Sequence, residues 1–314
     1  MNVFFHIGYP RTGSTFLQKN FFEKNDKINY LGPKNYDPKF KPFFSEKKMS
    51  FINQINLKEE INYENSKFLF KNLILSDRKI NLISSEKFLT FGINYFENLI
   101  KIKRLLKLHN EKINFKVFFV IRNQYDALQS YYHHAFSEIS NRFSVKNFKE
   151  LINLSHSDLN NKNTEKEFYD NYFYNNTFNE LTKYFNKKDI AIFLYEDLNN
   201  NKVNFLKKIS EFLSINLLEN EELLNQDKTN QLSRNKNNIL IYKKYFPKLH
   251  LIYSKLYLKK ILPENFRLFL KKLLVKEVNL NISNEEKIKI KIFFKESNLL
   301  LEKNTGLKLP KEYF

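Results

Sequence analysis

Gly8, Gly13, Ser14 and Thr15 stand at the spacing of the phosphate loop G-x-x-x-x-G-K-[ST], except that Ser14 occupies the place of the lysine. A basic residue comes three places earlier, as Arg11. The apolar run Asn2–Ile7 before Gly8 reads as a buried strand, and Thr12, Ser14 and Thr15 can open a helix. Strand, glycine turn and helix start together make an anion site, because loop N–H groups converge on phosphate oxygens and the helix dipole adds positive potential. A triphosphatase would also use the loop lysine and a carboxylate ending a neighbouring strand to handle Mg²⁺. Here the lysine is absent and the clearest apolar strand, residues 115–121, runs into Arg122. The pattern therefore suits a single 5′-phosphate, with Arg11 placed to stabilise charge on a bridging oxygen as a bond breaks.

A second group lies in "VIRNQYDALQSYYHHAF", residues 120–136. Arg122 stands at the carboxyl end of a strand, where open α/β sheets bind ligands. Asn123 and Asp126 form an N-cap pair for a following helix, and Ser130 comes eight residues after Arg122. A guanidinium and a hydroxyl facing one point suit a second phosphate.

The two segments together resemble sulfotransferases that use 3′-phosphoadenosine 5′-phosphosulfate (PAPS). "HIGYPRTGSTFLQ" looks like the 5′-phosphosulfate loop of bacterial, carbohydrate-type members, and Arg122 with Ser130 resembles the 3′-phosphate motif. "LYEDL" at 194–198 is similar to the segment whose tyrosine, here Tyr195, lies near the adenine. "NQLSRN" at 230–235 resembles a later cofactor loop, which brings in Ser233 and Arg234, and the closing "LLLEKNTGLKLPKEYF" resembles the last helix and tail of bacterial relatives. The resemblance implies a P-loop-type three-layer α/β fold, PAPS as donor, adenosine 3′,5′-bisphosphate (PAP) as product, no metal, and a donor site built from Arg11, Thr12, Gly13, Ser14, Thr15, Arg122, Ser130, Tyr195, Ser233 and Arg234.

An acceptor hydroxyl must lose its proton as it attacks. In "NLISSEKF" an apolar strand ends in two serines and Glu86, so Glu86 is the leading candidate base. His133 and His134 compete, His6 sits inside the first strand, and Asp37 and Glu46 fall in or just after a proline-rich segment from which they could approach a substrate.

Around these residues the chain reads as four strands (2–7, 80–84, 115–121 and 190–195) separated by helices, hence a parallel sheet of about four or five strands covered on both faces. Residues 30–44, with Gly32, Pro33, Pro38 and Pro42, read as loop, and 235–314 as mostly helical within one domain spanning 1–314. Cysteine is absent, which excludes disulfides and thiolate chemistry, and six scattered histidines offer no metal cluster. No apolar run reaches the length of a membrane span and no signal peptide precedes the first strand, so a cytoplasmic protein is expected.

The net charge of +19 is concentrated at residues 236–276, where eleven Lys/Arg face one acid, Glu264. Such a stretch could hold an acidic glycan or lie against the inner face of an anionic membrane beside a glycolipid acceptor. The rival readings are a non-catalytic binder of nucleic acid or anionic membrane, and a nucleotide or small-molecule kinase using the same loop. A pure binder has no use for Arg11, Arg122 and Ser130 at these spacings.

Overall fold

The computed structural model describes residues 1–32, 75–88, 96–132, 149–150, 169, 171–216, 238–242, 275–279 and 283–314. Two compact units divide the chain: Met1–Ala127 with Lys166–Thr229 and Lys291–Phe314, and Leu128–Glu165 with Asn230–Ile290.

The first unit is built on a five-stranded sheet in the order β2-β3-β1-β4-β5, from Asn2–Ile7 (β1), Ile28–Leu31 (β2), Ile80–Ser85 (β3), Asn114–Ile121 (β4) and Ile190–Leu194 (β5). Every pairing is parallel. β1, β3 and β4 are buried over most of their length, which is why they read as continuous apolar runs. Register brings Ile7 opposite both Ser85 and Phe119, and Ile121 opposite Leu194. The carboxyl ends of β1, β3, β4 and β5 therefore lie along one edge. The chain leaves β1 toward β2 and β3 but leaves β4 toward β5, so a crevice opens between β1 and β4 at that edge.

The four strands expected from sequence are all present. The fifth, β2, is a four-residue edge strand, and Gly32-Pro33 directly after it masks its pattern. The helix after the phosphate loop also differs from expectation. It is α-helical only over Ser14–Phe16 and then widens into a π-turn over Leu17–Phe22. The extra residue per turn lets the consecutive Phe21 and Phe22 both face the core. Ahead of β5 the chain turns at 171–172 and a helix runs Tyr174–Thr182. In the second unit Asn238–Tyr242 (β6) and Val275–Asn279 (β7) pair antiparallel, where helix was expected. The helix Asn284–Thr305 opens with a capping box: Ser283 N–H donates to Glu286 Oε2 and Glu286 N–H to Ser283 Oγ.

Aromatic side chains fill the core on one face of the sheet. Phe4, Phe22, Phe118, Phe193 and Phe205 are buried together, and Phe118 meets Phe193 edge-on at 5.9 Å. His6 is fully buried among them, stacked on Phe118 at 4.9 Å. Its Nδ1 lies 2.8 Å from Ser84 Oγ, which also accepts from Gln18 Nε2. The other ring nitrogen, Nε2, is buried with no hydrogen-bond partner among the described residues. His6 is structural, and burial pushes its pKa down to about 3.

This has a consequence for pH. The folded protein keeps His6 neutral while the unfolded chain protonates it near pH 6.5, so the contribution is fully present above pH 6.5 and is lost as pH falls from there toward about 3. The slope is roughly 1.4 kcal/mol per pH unit. Thermal melts of wild type and His6→Asn between pH 7.5 and 4.5 should show a steeper acid decline in wild type; parallel curves would refute the assignment.

Candidate active site

Each candidate of the site stands one residue past a strand. Gly8 follows β1, Glu86 follows β3, Arg122 follows β4 and Tyr195 follows β5. The sequence spreads them over 187 positions, and the parallel register puts them side by side.

The loop between Gly8 and Ser14 is held from inside. Thr12 Oγ1 and Ser14 Oγ both donate to the carbonyl of Tyr9, each at 3.0 Å, and both side chains are buried. These hydroxyls shape the loop from inside, and the first N–H groups of the helix that follows lack intrahelical acceptors. Thr15 is half-buried on the first turn.

The glycines permit two close approaches. A Cβ on Gly8 would lie 2.8 Å from Glu86 Cγ, so the base candidate packs directly on the loop. Gly13 has φ 86°, and a Cβ there would meet Leu198 Cδ2 at 2.9 Å and the Tyr195 ring at 3.3 Å. The helix Tyr195–Asn200 thereby closes against the loop from the β5 side. The turn uses a second left-handed residue: Arg11 has φ 66°, a conformation that costs a non-glycine residue on the order of 1 kcal/mol. Strain of this kind is kept where a site demands a particular backbone direction.

The direction it provides is visible. The Arg11 carbonyl accepts a hydrogen bond from Arg122 Nη1 at 3.2 Å. The Arg122 guanidinium in turn lies over the Tyr195 ring, 4.7 Å from its centroid. Burial, and then the positive charge of Arg122, hold the Arg11 pKa below its usual value; Tyr195, Glu86 and Tyr172 pull it back up. Two guanidiniums are thus kept close together at a helix start. Folding retains such a like-charge pair at a cost that bound anions would remove.

Glu86 presents an open face to solvent, yet desolvation against the loop raises its carboxyl above the ordinary carboxylate range, and Arg11 opposes that shift. A carboxylate of raised pKa beside an anion site is a better base than a free one.

Of the sequence candidates, Arg11, Thr12, Gly13, Ser14, Thr15, Glu86, Arg122 and Tyr195 share this edge of the sheet. Ser130 is half-buried on the helix 124–132 that follows Arg122, and belongs to the second unit. Ser233, Arg234, His133, His134, Asp37 and Glu46 lie outside the described residues. Among the described residues no group of three or more His, Cys, Asp or Glu gathers as a metal site. Spacing did not reveal Tyr9, whose carbonyl organises the loop, nor Glu196 and Tyr174, which hold the Arg122 corner; their partners are 52 or more positions away.

A family model for the sulfotransferase domain matches residues 3–260. The chain belongs to the sulfotransferase domain family. Its class of activity is that of a sulfotransferase. Among solved structures, it is similar to a sulfotransferase from Alicyclobacillus acidocaldarius, with TM-score 0.52 and 13% identity over 98% of this chain and 96% of that one. Similarity at that identity concerns the fold. Weaker likenesses include a mouse sulfotransferase complexed with PAP (TM-score 0.37, 15% identity, 70% of this chain and 60% of that one). Another is retinol dehydratase in complex with androsterone and the inactive cofactor PAP (TM-score 0.37, 16% identity, 98% and 82%). Comparison with curated proteins gave no match. In this sulfotransferase no helix among the described residues is long and apolar enough to cross a membrane.

The close packing at Gly13 is directly testable. Gly13→Ala should lower the melting temperature by several degrees, a cost of about 1–2 kcal/mol, since the added carbon meets both a left-handed backbone and Leu198. An unchanged melting temperature would show that the loop is not held against the Tyr195–Asn200 helix.

Proposed function

We infer that this sulfotransferase moves the sulfuryl group of PAPS to an acceptor hydroxyl of a glycan, using Glu86 as general base. The observation that carries the reading is the meeting of Arg11, Glu86, Arg122 and Tyr195 around a glycine loop that holds no lysine.

The residues present fit such a donor. The loop would offer N–H groups and Arg11 to a 5′-phosphosulfate, while Gly8 and Gly13 let Glu86 and the Tyr195 and Leu198 side chains pack close against it. Arg122, with Ser130 further along its helix, is the candidate for the 3′-phosphate, and Ser233 and Arg234 are further donor-binding candidates. Bound there, the donor supplies a sulfuryl group that passes in line to the acceptor oxygen and leaves PAP. Arg11 stabilises the negative charge that gathers on the 5′-phosphate oxygen as the S–O bond breaks. Glu86 takes the proton of the acceptor hydroxyl, and its place on Gly8 sets it beside the loop that holds the transferred group. A glycan acceptor rests on the likeness of "HIGYPRTGSTFLQ" to carbohydrate-type members and on the basic stretch 236–276. The same stretch would suit contact with an anionic membrane surface from the cytoplasm, and the reading takes 1–314 as one functional domain.

A kinase would require the loop lysine and a metal-binding carboxylate, and β4 runs instead into Arg122. Thermal shift separates the classes. PAP should raise the melting temperature more than ATP with Mg²⁺ does, and Arg122→Ala should reduce the gain; the reverse order would mean a kinase, and stabilisation by oligonucleotides alone a nucleic-acid binder.

The base is tested by Glu86→Gln, which should bind PAP like wild type and lose transfer by about a hundredfold or more. The wild-type rate should fall on the acid side with an apparent pKa above the usual carboxylate value, because the proton must be absent for catalysis and the Glu86 carboxyl is shifted upward. Undiminished transfer in Glu86→Gln would remove it from the mechanism.

A further inference from the structure

Arg122 depends for its position on a corner of backbone, and that corner is held by residues far along the chain. The carbonyl of Arg122 accepts from Tyr174 Oη at 2.7 Å. The next N–H, that of Asn123, donates to Glu196 Oε1 at 2.9 Å. The other oxygen of the same carboxylate, Oε2, accepts from Tyr313 Oη at 3.0 Å. Gln124 completes the set. Its amide nitrogen donates to Asn298 Oδ1 at 2.7 Å and to the Tyr172 carbonyl at 3.3 Å, while Asn298 Nδ2 donates to the Tyr313 carbonyl at 2.9 Å.

Most of these groups are withdrawn from solvent, while Glu196 itself is half-buried. Tyr313 is 1% exposed, Asn298 0% and Gln124 2%. Tyr313 lies in the short turn Lys311–Tyr313, which follows the helix Asn284–Thr305. Glu196 immediately follows Tyr195, on whose ring the Arg122 guanidinium rests. One carboxylate therefore ties together the backbone that carries Arg122, the helix that braces its side chain, and the last turn of the sequence.

We propose that Glu196 and Tyr313 are positioning residues for the donor site, fixing residues 122–124 so that the Arg122 guanidinium stays between the Arg11 carbonyl and the Tyr195 ring. The inference rests on the reading of Arg122 as a donor-phosphate ligand. It gives the closing turn of the chain a part in donor recognition. Neither residue touches the reacting atoms. Their effect reaches the donor through Arg122, so it belongs in donor affinity and leaves the transfer step alone.

Two features make the proposal separable from a general contribution to folding. The first is dependence on Arg122: a residue that acts through a guanidinium loses its effect when the guanidinium is removed. The second is chemistry. A glutamine at 196 can still accept from Asn123 N–H, and its amide can donate to the Tyr313 hydroxyl, so the conservative variant preserves the corner where alanine does not.

The experiment is calorimetric titration of PAP into the full-length protein and its variants, with KM for PAPS and kcat measured alongside. Tyr313→Phe and Glu196→Ala should weaken PAP about five- to tenfold and raise KM for PAPS in step, with kcat at saturating donor unchanged within about twofold. Glu196→Gln should stay within about threefold of wild type. In an Arg122→Ala background, Tyr313→Phe should add less than about twofold. Wild-type affinity for Tyr313→Phe and Glu196→Ala, or the same fold-loss with and without Arg122, would overturn the proposal while leaving the sulfotransferase reading in place. Should Glu196→Ala fail to fold, Tyr313→Phe, which deletes a single oxygen, decides alone. Failure of wild type to bind PAP at all would instead overturn the reading of Arg122, and the proposal with it.

Discussion

Two arginines held side by side at the start of a helix are the constraint around which this structure is arranged. Arg11 lies in a left-handed conformation and turns its carbonyl toward Arg122, whose guanidinium is braced on the Tyr195 ring. Carboxylates act on the pair by charge, Glu86 on Arg11 and Glu196 opposite Arg122. Strain in the backbone, proximity of like charges and partial burial all oppose folding. They make sense together if the cluster is completed by anions, which is what the 5′-phosphosulfate and 3′-phosphate of a bound donor would bring. In a phosphate loop with lysine, one flexible ammonium reaches the phosphates. Here two planar guanidiniums are set in advance by the backbone and by an aromatic face, which favours directional recognition over simple charge.

The rest of the first unit serves that placement. Parallel strands with matched carboxyl ends deliver Gly8, Glu86, Arg122 and Tyr195 to one edge, and the aromatic core fixes the strands that carry them. Gly8 and Gly13 are the two points where a side chain would separate these parts, one from Glu86 and one from Tyr195 and Leu198. Behind the site, Glu196, Tyr174, Gln124 and Asn298 hold the Arg122 corner through buried and half-buried hydrogen bonds. Such bonds cost little when all partners are present and much when one is lost, so they favour a single arrangement over a range of them.

Much of this was legible in the sequence because the signals are local. The glycine loop, the serine in place of lysine, and the run 115–121 ending at Arg122 each sit within about ten residues, and buried parallel strands announce themselves as unbroken apolar runs. What could not be read has a common physical cause. β2 is a four-residue edge strand, too short for periodicity to show. The π-turn at Leu17–Phe22 depends on both Phe21 and Phe22 finding a place in the core. Residue type does not say which way a hydroxyl hydrogen points, so the sequence could not show that Thr12 and Ser14 both donate to the Tyr9 carbonyl. The partnership of Glu196 with Tyr313 spans 117 positions and exists only once the last helix has packed.

The central claim is that Arg11 and Arg122 grip two separate phosphates of one nucleotide at the edge of the sheet where the glycine loop opens. Determining the crystal structure with PAP bound tests it most directly. The account predicts the 5′-phosphate on the N–H groups of residues 12–15 with Arg11 beside it, and the Arg122 guanidinium on the same nucleotide, with Tyr195 still packed against Gly13. A nucleotide seated elsewhere, or one that leaves either arginine without a phosphate oxygen in hydrogen-bond range, would contradict it.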